Sequence, residues 1–281
     1  MWWKGCAGWL PWKASIEEGD KPQAVGVRRL IVSADDFGMT EGVTRGIVEG
    51  HRRGIVSSTA LMANMPARHL AAALARQHPR LGVGLHLNRT CYRPLLPPEQ
   101  VPSLVMPNGW FWPTVEMADH HNRIDELEAE FRRQLAEFKA LGLRLTHMDM
   151  HMGTRRPDVL ELVVRLVREQ GVPARRPPRD YAPGLDAFIE SLRAEGLRFP
   201  DQTLYDLQER QVSAQELREL LLALPEGVSE LVTHPGYVSE AHRFVDDFYS
   251  RRECELAVLT DPALPAWLEQ LGIQLITFGE L

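Results

Sequence analysis

The chain is poor in cysteine and has no long apolar run. Its three cysteines, Cys6, Cys91 and Cys254, lie far apart and include no CxxC pair. Because they are also odd in number, we expect no disulfide framework and favour a reducing compartment, the cytoplasm. No stretch approaches the length of a membrane span, so membrane contact is not the first expectation.

Positive charge and glycine-rich phosphate loops are also lacking. The formal net charge of the 281 residues is −6, so no basic excess is present to neutralise phosphates, and we expect no nucleic-acid partner. Neither GxGxxG nor GxxxxGK[ST] occurs, which makes nucleotide cofactors a poor first choice. The length suits one large α/β domain or two small ones.

Residues 1–25 read as an irregular N-terminal extension. Four tryptophans stand in an apolar run that glycine and proline interrupt, so the run is too short for the core of a signal peptide. A wrongly assigned start codon and a peripheral membrane contact are open alternatives. We expect residues 26–281 to form a single catalytic domain.

Apolar strands alternate with amphipathic helices along the rest of the chain, which predicts a parallel sheet with crossover helices. The predicted strands are Leu30–Val32, Ile55–Asn64, Gly82–Asn88, Leu143–Met150, Val172–Arg175, Ser229–Thr233 and Ile273–Phe278, with an extended piece at Leu197–Phe199. The predicted helices are Thr40–Gly54, Pro66–His78, Arg123–Leu141, Pro157–Gln170, Leu185–Glu195 and Ser213–Leu224, with further helical segments before the last strand.

Polar residues at the carboxyl ends of several strands decide between two architectures. An open doubly wound sheet concentrates its site at one switch point, whereas a barrel brings many strand ends around one pocket. Here Asp35, Asp36, His86, His151 and His234 follow at least four strands. The sequence therefore predicts a TIM-like, imperfect (β/α) barrel with seven or eight parallel strands.

Two adjacent carboxylates, Asp35 and Asp36, end the first strand. Carboxylates are expensive to desolvate unless a cation or hydrogen-bond donors meet them. They are equally ordinary in a turn before a helix N-cap, so this pair alone does not establish a site.

Imidazoles near the ends of later strands strengthen the signal. His147, Asp149 and His151 occupy alternate positions and would share one face of a strand. One carboxylate and two imidazoles suit a divalent ion such as Zn²⁺, Co²⁺, Ni²⁺ or Mn²⁺. We expect His147 and Asp149 to orient a ligand from behind rather than bind the ion. A lone His86 or His234 would more often be a hydrogen-bonded core or strand-end residue.

The segment Arg89–Asn122 is a proline-rich insertion that carries an aromatic cluster, Trp110-Phe111-Trp112. Irregular loops of this length in compact domains are commonly functional lids. We expect Trp110 and Trp112 to bind substrate by stacking on a sugar ring. Two other roles stay open: packing the loop onto the barrel, or filling the interface of a homodimer.

Four motifs in order, SADDFGMTEGV, GVGLHLNRT, LTHMDMHMG and VTHPGY, carry a family resemblance from about Arg29 to the C-terminus. The chain resembles the YdjC/ChbG-type carbohydrate deacetylases. That resemblance implies a NodB-like deformed barrel and one divalent metal ion, with Mg²⁺ added to the candidates and the identity undecided. It also implies a small N-acetylated carbohydrate as substrate.

The resemblance assigns roles by motif. It implies Asp36, His86 and His151 as metal ligands, Asp35 as catalytic base and His234 as an acid or oxyanion stabiliser. Arg175 would orient Asp35 or bind substrate.

The motif at the fourth strand departs from the common form of the family. In that form two more histidines follow the one at position 151, whereas this chain has Gly153 and Arg155 in their places. Substrate specificity should therefore not be transferred. A metal-dependent phosphoesterase and a non-catalytic carbohydrate-binding protein are the alternative functions.

Overall fold

The fold is organised around a long first strand in a sheet whose strand pairings are all parallel. The computed structural model describes residues 26–177, 184–205, 212–238 and 251–281. Seven strands lie in these ranges: β1 (Arg28–Phe37), β2 (Ser58–Leu61), β3 (Gly82–Leu87), β4 (Met148–Met150), β5 (Gln202–Leu204), β6 (Gly227–Thr233) and β7 (Ile273–Leu275). The extension predicted for residues 1–25 lies outside the described residues.

The sheet order is β4-β3-β2-β1-β6-β5, and β1 changes its partner along one edge. Its first residues, Arg28 to Leu30, pair with β7, whereas β2 pairs with it only from Ser33 onward. Between the outer strands β4 and β5, Met148 N–H donates to Pro173 O and Ala174 N–H donates to Arg198 O, each at 3.0 Å. These irregular links continue the curve of the sheet, so the predicted TIM-like, imperfect barrel of seven or eight parallel strands is confirmed, with seven strands in the described ranges.

Helices connect consecutive strands and cover the outside of the sheet. They are α1 (Glu41–Arg53), α2 (Arg68–Gln77), α3 (Val115–His121), α4 (Ile124–Ala140), α5 (Pro157–Gln170), α6 (Leu185–Ala194), α7 (Ala214–Leu222), α8 (Arg252–Leu259) and α9 (Leu264–Gln270). The hydroxyl of Thr40 caps α1 by accepting from Val43 N–H at 3.2 Å. This cap starts the helix directly after the two aspartates. In the described part of the chain, no helix is both long and apolar enough to cross a membrane.

Alternation along β1 separates an outer core from the barrel interior. Leu30 and Val32 belong to the large core that includes residues of the surrounding helices. Ile31 instead packs with Val228, Ile276 and Phe278 in a small separate cluster. Because successive side chains of a strand point to opposite faces, this cluster lies inside the barrel. We call it the floor; Asp35 lies on the same face of β1, two steps farther along.

Several predicted boundaries were wrong. The second, fourth and last strands are shorter than expected, and Val172–Arg175 forms only an isolated bridge from Ala174 to Met148. The length of an apolar run does not show how many of its residues will hydrogen-bond to a neighbouring strand, because that pairing depends on distant segments. The half-buried strand β5 and the helix α3 inside the insertion were not predicted.

The cysteines divide into two kinds. Cys91 is a buried free thiol, as expected. Cys254 is disulfide-bonded, although the sequence predicted no disulfide framework. Cys6 lies outside the described residues.

Candidate active site

The end of β1 is bent so that two consecutive carboxylates face the same side. The pairing register between β1 and β2 shifts between Ala34 and Phe37, and Asp36 has a φ of 70°. A non-glycine residue at positive φ costs roughly 1–3 kcal/mol, although aspartate tolerates this region better than most residues. This local strain brings Asp35 and Asp36 together in the barrel, where they are only 4% and 1% exposed.

One oxygen of Asp36 is the point on which two imidazoles converge. His151 Nδ1 lies 3.2 Å from Asp36 Oδ1, and His86 Nε2 lies 3.6 Å from the same oxygen. That oxygen is buried and accepts no well-oriented hydrogen bond in the described part of the chain. Ligands about 2.0–2.1 Å from a tetrahedral Zn²⁺ lie about 3.3–3.4 Å apart. The spacing therefore fits one ion held by Asp36, His86 and His151.

The charges around these residues also fit a cation. Burial alone would lower the pKa of His86, but the nearby carboxylates of Asp149 and Asp35 raise it to about 9. Burial would raise the pKa of Asp36, yet the charge of Arg252 and the contact with His151 hold it well below its usual range. The carboxylates of Asp35, Asp36 and Asp149 face only two arginines, Arg175 and Arg252, so a cation could take the place of the third positive charge, the proton on His86.

Asp149 holds His86 in place. Its Oδ1 lies 2.7 Å from His86 Nδ1, so the other ring nitrogen, Nε2, faces Asp36. A carboxylate behind a ligand imidazole fixes both the tautomer and the ring orientation. The structure therefore places Asp149 where the sequence predicted an orienting residue.

Arg175 ties Asp35 to the wall of the barrel. Its two terminal nitrogens donate to the two oxygens of Asp35 at 2.6 and 2.7 Å, and its Nε donates to Glu230 Oε1 at 2.8 Å. This bidentate pair fixes the plane of the Asp35 carboxylate. Of the two roles predicted for Arg175, these contacts support the orientation of Asp35.

A second group, Asp35, His86 and Asp149, also brings three possible ligand atoms together. In this group Arg175 already pairs with Asp35 and lies 2.8 Å from Asp149 Oδ2. The His86 nitrogen nearest Asp149 is Nδ1, which the hydrogen bond occupies. A cation is therefore better accommodated by the group that contains Asp36.

His234 follows β6 and is held through its own peptide group by α8. Its N–H donates to Glu255 Oε2 at 2.5 Å, and Arg252 Nη1 donates to its carbonyl oxygen at 3.4 Å. Arg252 also donates to Asp36 Oδ2 at 2.5 Å, so one helix fixes both residues. Burial lowers the pKa of His234 to about 4, so the imidazole is neutral at physiological pH.

His147 lies at the floor rather than among the ligands. Its Nδ1 lies 2.9 Å from the hydroxyl of Thr146, and its ring stacks on Phe278 with centroids 4.0 Å apart. A Cβ at Gly84 would overlap the ring, so glycine is required there. The ring makes no hydrogen bond with His86 or His151 in the described structure, because it lies beside Phe278 at the floor, deeper in the barrel than those two residues. The prediction that His147 orients a ligand is not supported by these contacts.

The aromatic residues of the insertion contact the insertion itself. Trp112 Nε1 donates to Ser103 O at 2.9 Å, and its ring stacks on His121 at 3.9 Å. Trp110 meets Tyr92 edge-on at 5.2 Å. These contacts support the packing interpretation, and a role of Trp110 and Trp112 in substrate binding stays a prediction.

Three residues of the site were missed from the sequence: Glu230, Arg252 and Glu255. Glu230 had a usable signal, because a charged residue inside the apolar strand β6 must find a partner. Arg252 and Glu255 had none, since charged residues on a helix look like a solvated face. Both are fully buried here.

Comparisons with known proteins agree with this geometry. The model of the family described as YdjC-like protein matches residues 29–270. A carbohydrate deacetylase of Geobacillus stearothermophilus is 38% identical over 260 residues, covering 90% of this chain and 98% of the relative. One of Brevibacillus brevis is 38% identical over 256 residues, covering 90% and 99%.

Among solved structures, a crystal structure from Enterococcus faecalis V583 superimposes with a TM-score of 0.83 at 30% identity. The match covers 90% of this chain and 98% of that one. The family model spans most of the chain, and the relatives align over nearly their whole length. The chain therefore belongs to the YdjC-like protein family.

Proposed function

We propose that this protein is a metal-dependent carbohydrate deacetylase, which hydrolyses an N-acetyl group of a sugar to acetate and a free amine. The observation that carries the proposal is the buried Asp36 Oδ1, which faces His86 and His151 beside a second carboxylate, Asp35. Relatives named carbohydrate deacetylase, 30–38% identical over most of the chain, support the same activity.

Asp36, His86 and His151 would hold the cation. When bound, a divalent ion supplies Lewis acidity for the acetyl carbonyl and for the attacking water. The geometry does not select between Zn²⁺, Mg²⁺, Mn²⁺, Co²⁺ and Ni²⁺, although two imidazoles favour the softer ions over Mg²⁺.

Asp35 is placed to accept the proton of the attacking water. It adjoins the proposed ligand Asp36, and its Oδ2 lies 3.9 Å from His86 Nε2. Arg175 donates to both of its oxygens, which holds the carboxylate in place beside the proposed metal site. Fixing a base at a defined distance from its proton is worth typically 10²–10⁴-fold in rate.

His234 would serve the oxygen or the amine of the tetrahedral intermediate. Its lowered pKa, about 4, means that the imidazole enters the reaction neutral. A neutral ring can donate one hydrogen bond to a developing oxyanion, and it can pass a proton to the leaving amine only after receiving one. The neutral form therefore favours oxyanion stabilisation between the two roles predicted for His234.

Phosphoester hydrolysis is less well supported, because the cations near the site are already paired. Arg175 bonds Asp35 and Glu230, and Arg252 bonds Asp36. A transferring phosphoryl group needs positive groups that can turn toward it.

The test combines product analysis with metal analysis. Purified enzyme, reloaded with each divalent ion, is assayed for acetate release from N-acetylated mono- and oligosaccharides and for phosphate release from sugar phosphates. Asp36→Ala and His151→Ala are compared with Asp158→Ala, an ion-paired aspartate at the start of α5.

We expect acetate release in the wild type and in Asp158→Ala, and loss of both metal and acetate release in the two site variants. Phosphate release that depends on Asp36, without acetate release, would replace the proposal with a phosphoesterase. Sugar binding without turnover under every ion would replace it with a carbohydrate-binding role. Wild-type metal content in both site variants would refute the ligand assignment.

A further inference from the structure

A groove of about 780 Å³ opens on the face of the barrel opposite the candidate active site. Its walls are the turns that lead into β2, β3 and β4, together with the segment that follows β7. The site carboxylates and imidazoles lie at the carboxyl ends of the strands, whereas this groove lies at their amino ends. It is therefore a separate surface, and its volume falls in the range of about 300–1,000 Å³ that is typical of small-molecule sites.

Three arginines line this groove, Arg76, Arg80 and Arg144, and none of them has a carboxylate partner among the described residues. Arg76 donates to the backbone oxygen of Leu141 at 2.8 Å. Within the described part of the chain, Arg80 and Arg144 make no ion pair or hydrogen bond, and both are exposed. By contrast, the arginines of the active site are each paired with aspartate.

Glu280, the one acidic residue among the described residues of the lining, does not neutralise them. Glu280 Oε2 accepts from Thr277 N–H at 2.7 Å and from the Thr277 hydroxyl at 2.8 Å, which closes a local capping box. Three arginines against one glutamate leave an excess of two positive charges in a chain whose formal net charge is −6.

His51, at the edge of the groove, has its pKa affected by this positive charge. His51 Nδ1 lies 2.8 Å from Val56 O. Burial lowers the pKa of His51, and the charges of His78 and Arg80 lower it further. With its Nδ1–H donating to Val56 O, the neutral ring presents only an acceptor at Nε2, so the arginines supply the hydrogen-bond donors of the groove.

We propose that this groove binds the phosphate group of a small anion. Two unpaired guanidinium forks and a third beside them match the charge and the several acceptor oxygens of a phosphate dianion better than those of a single carboxylate. Apolar residues of the wall, Ile55, Val56 and Leu143, leave room for the organic part of a monoester. This inference is independent of the proposed deacetylase activity.

Calorimetric titration of the full chain as purified, at constant ionic strength, tests the proposal. The probes are inorganic phosphate, glucose 6-phosphate and, as a neutral control, glucose. The double variant Arg80→Ala/Arg144→Ala is compared with Arg132→Ala/Arg165→Ala, which removes the same charge from exposed positions on α4 and α5. Asp36→Asn is included to exclude binding at the active site.

We expect one saturable site for phosphate in the wild type, in Asp36→Asn and in the Arg132/Arg165 variant. In Arg80→Ala/Arg144→Ala the affinity for phosphate should be at least 10-fold lower. Tighter binding of glucose 6-phosphate would identify a phosphate monoester as the ligand, and equal binding would identify free phosphate. The absence of saturable binding would overturn the proposal. So would equal affinity in the two double variants, or a loss of binding in Asp36→Asn.

Discussion

Two buried histidines, His86 and His147, show what distinguishes a candidate ligand from a structural residue. Their exposed fractions are 1% and 0%, and both lie inside the barrel. His86 bonds the carboxylate of Asp149 and has a pKa raised to about 9, whereas burial lowers the pKa of His147 to about 4. Burial is equal in the two cases, so the charge of the neighbours makes the difference.

The same contrast separates the two layers of the barrel interior. Around His86 lie three carboxylates, those of Asp35, Asp36 and Asp149, and we call this group the acidic layer. Around His147 lie the ring of Phe278, the hydroxyl of Thr146 and the backbone at Gly84. An apolar layer accepts only a neutral imidazole, whereas an acidic layer attracts a cation. The site is therefore defined by its cluster of carboxylates rather than by buried polar residues as such.

The largest effect is expected from Asp36→Asn, which removes the charged ligand from the acidic layer. Loss of an outer partner of a metal ligand commonly costs 10–100-fold in metal affinity, so loss of a ligand should cost more than about 100-fold. Competition with a chromogenic chelator measures this constant. His147→Phe is the control, because it changes a buried polar side chain in the other layer. Similar affinities in the two variants would remove the contrast between the layers.

Asp35→Asn should separate catalysis from metal binding within the acidic layer. The substitution keeps size and polarity but removes basicity, so turnover should fall by roughly 10²-fold or more. Metal content should stay at the wild-type level, because Asp35 is held by Arg175 rather than by the ion. Steady-state rates and metal analysis on the same preparation check both parts. Loss of metal here, with metal retained in Asp36→Asn, would exchange the two roles.

Asp149→Asn should have the next smaller effect, because Asp149 acts through His86. Without the carboxylate at 2.7 Å, His86 loses the bond that fixes its orientation. We expect metal affinity to fall by about 10–100-fold, with activity recovered at high metal concentration. A fall in activity that excess metal does not restore would contradict an orienting role.

The smallest effect on metal binding is expected from His147→Phe, which should instead change acid stability. The pKa of His147 is lowered from 6.5 to about 4 on folding, so between these values the unfolded chain binds a proton that the folded protein does not. Stability is therefore lost as the pH falls through this window, by about 2 kcal/mol at pH 5 for a fully buried group.

His147→Phe lacks this titration, so its loss of stability between pH 7 and pH 5 should be smaller than that of the wild type. Urea unfolding of the two metal-free proteins at both pH values measures the difference. His234 is present in both proteins, so its contribution to the loss of stability is the same in each and cancels in the comparison. Equal losses would show that His147 does not titrate in this range.

The acidic layer was largely predictable from the sequence, and the reason is positional. Asp35, Asp36, His86 and His151 all stand at or just beyond the carboxyl ends of strands, and parallel strands bring such ends together. His147 occupies an alternate position with Asp149 and was therefore predicted to share its face. The two-residue periodicity of a strand predicts the face of a side chain but not its depth within the barrel.

What could not be predicted depends on contacts between distant residues. The pair between Arg252 and Asp36 joins residues 216 positions apart, and a buried arginine on α8 has the same sequence pattern as an exposed one. The positive φ of Asp36 is likewise imposed by the bulge between β1 and β2. The short strand β5 has three half-buried residues, too few to form a clear alternation.

Anomalous diffraction from crystals grown with Zn²⁺ tests the central claim most directly. Data collected on both sides of the zinc absorption edge locate the ion without reference to activity. We predict a peak about 2.0–2.2 Å from Asp36 Oδ1, His86 Nε2 and His151 Nδ1. A peak between Asp35 and Asp149, or no peak in the acidic layer, would contradict the account.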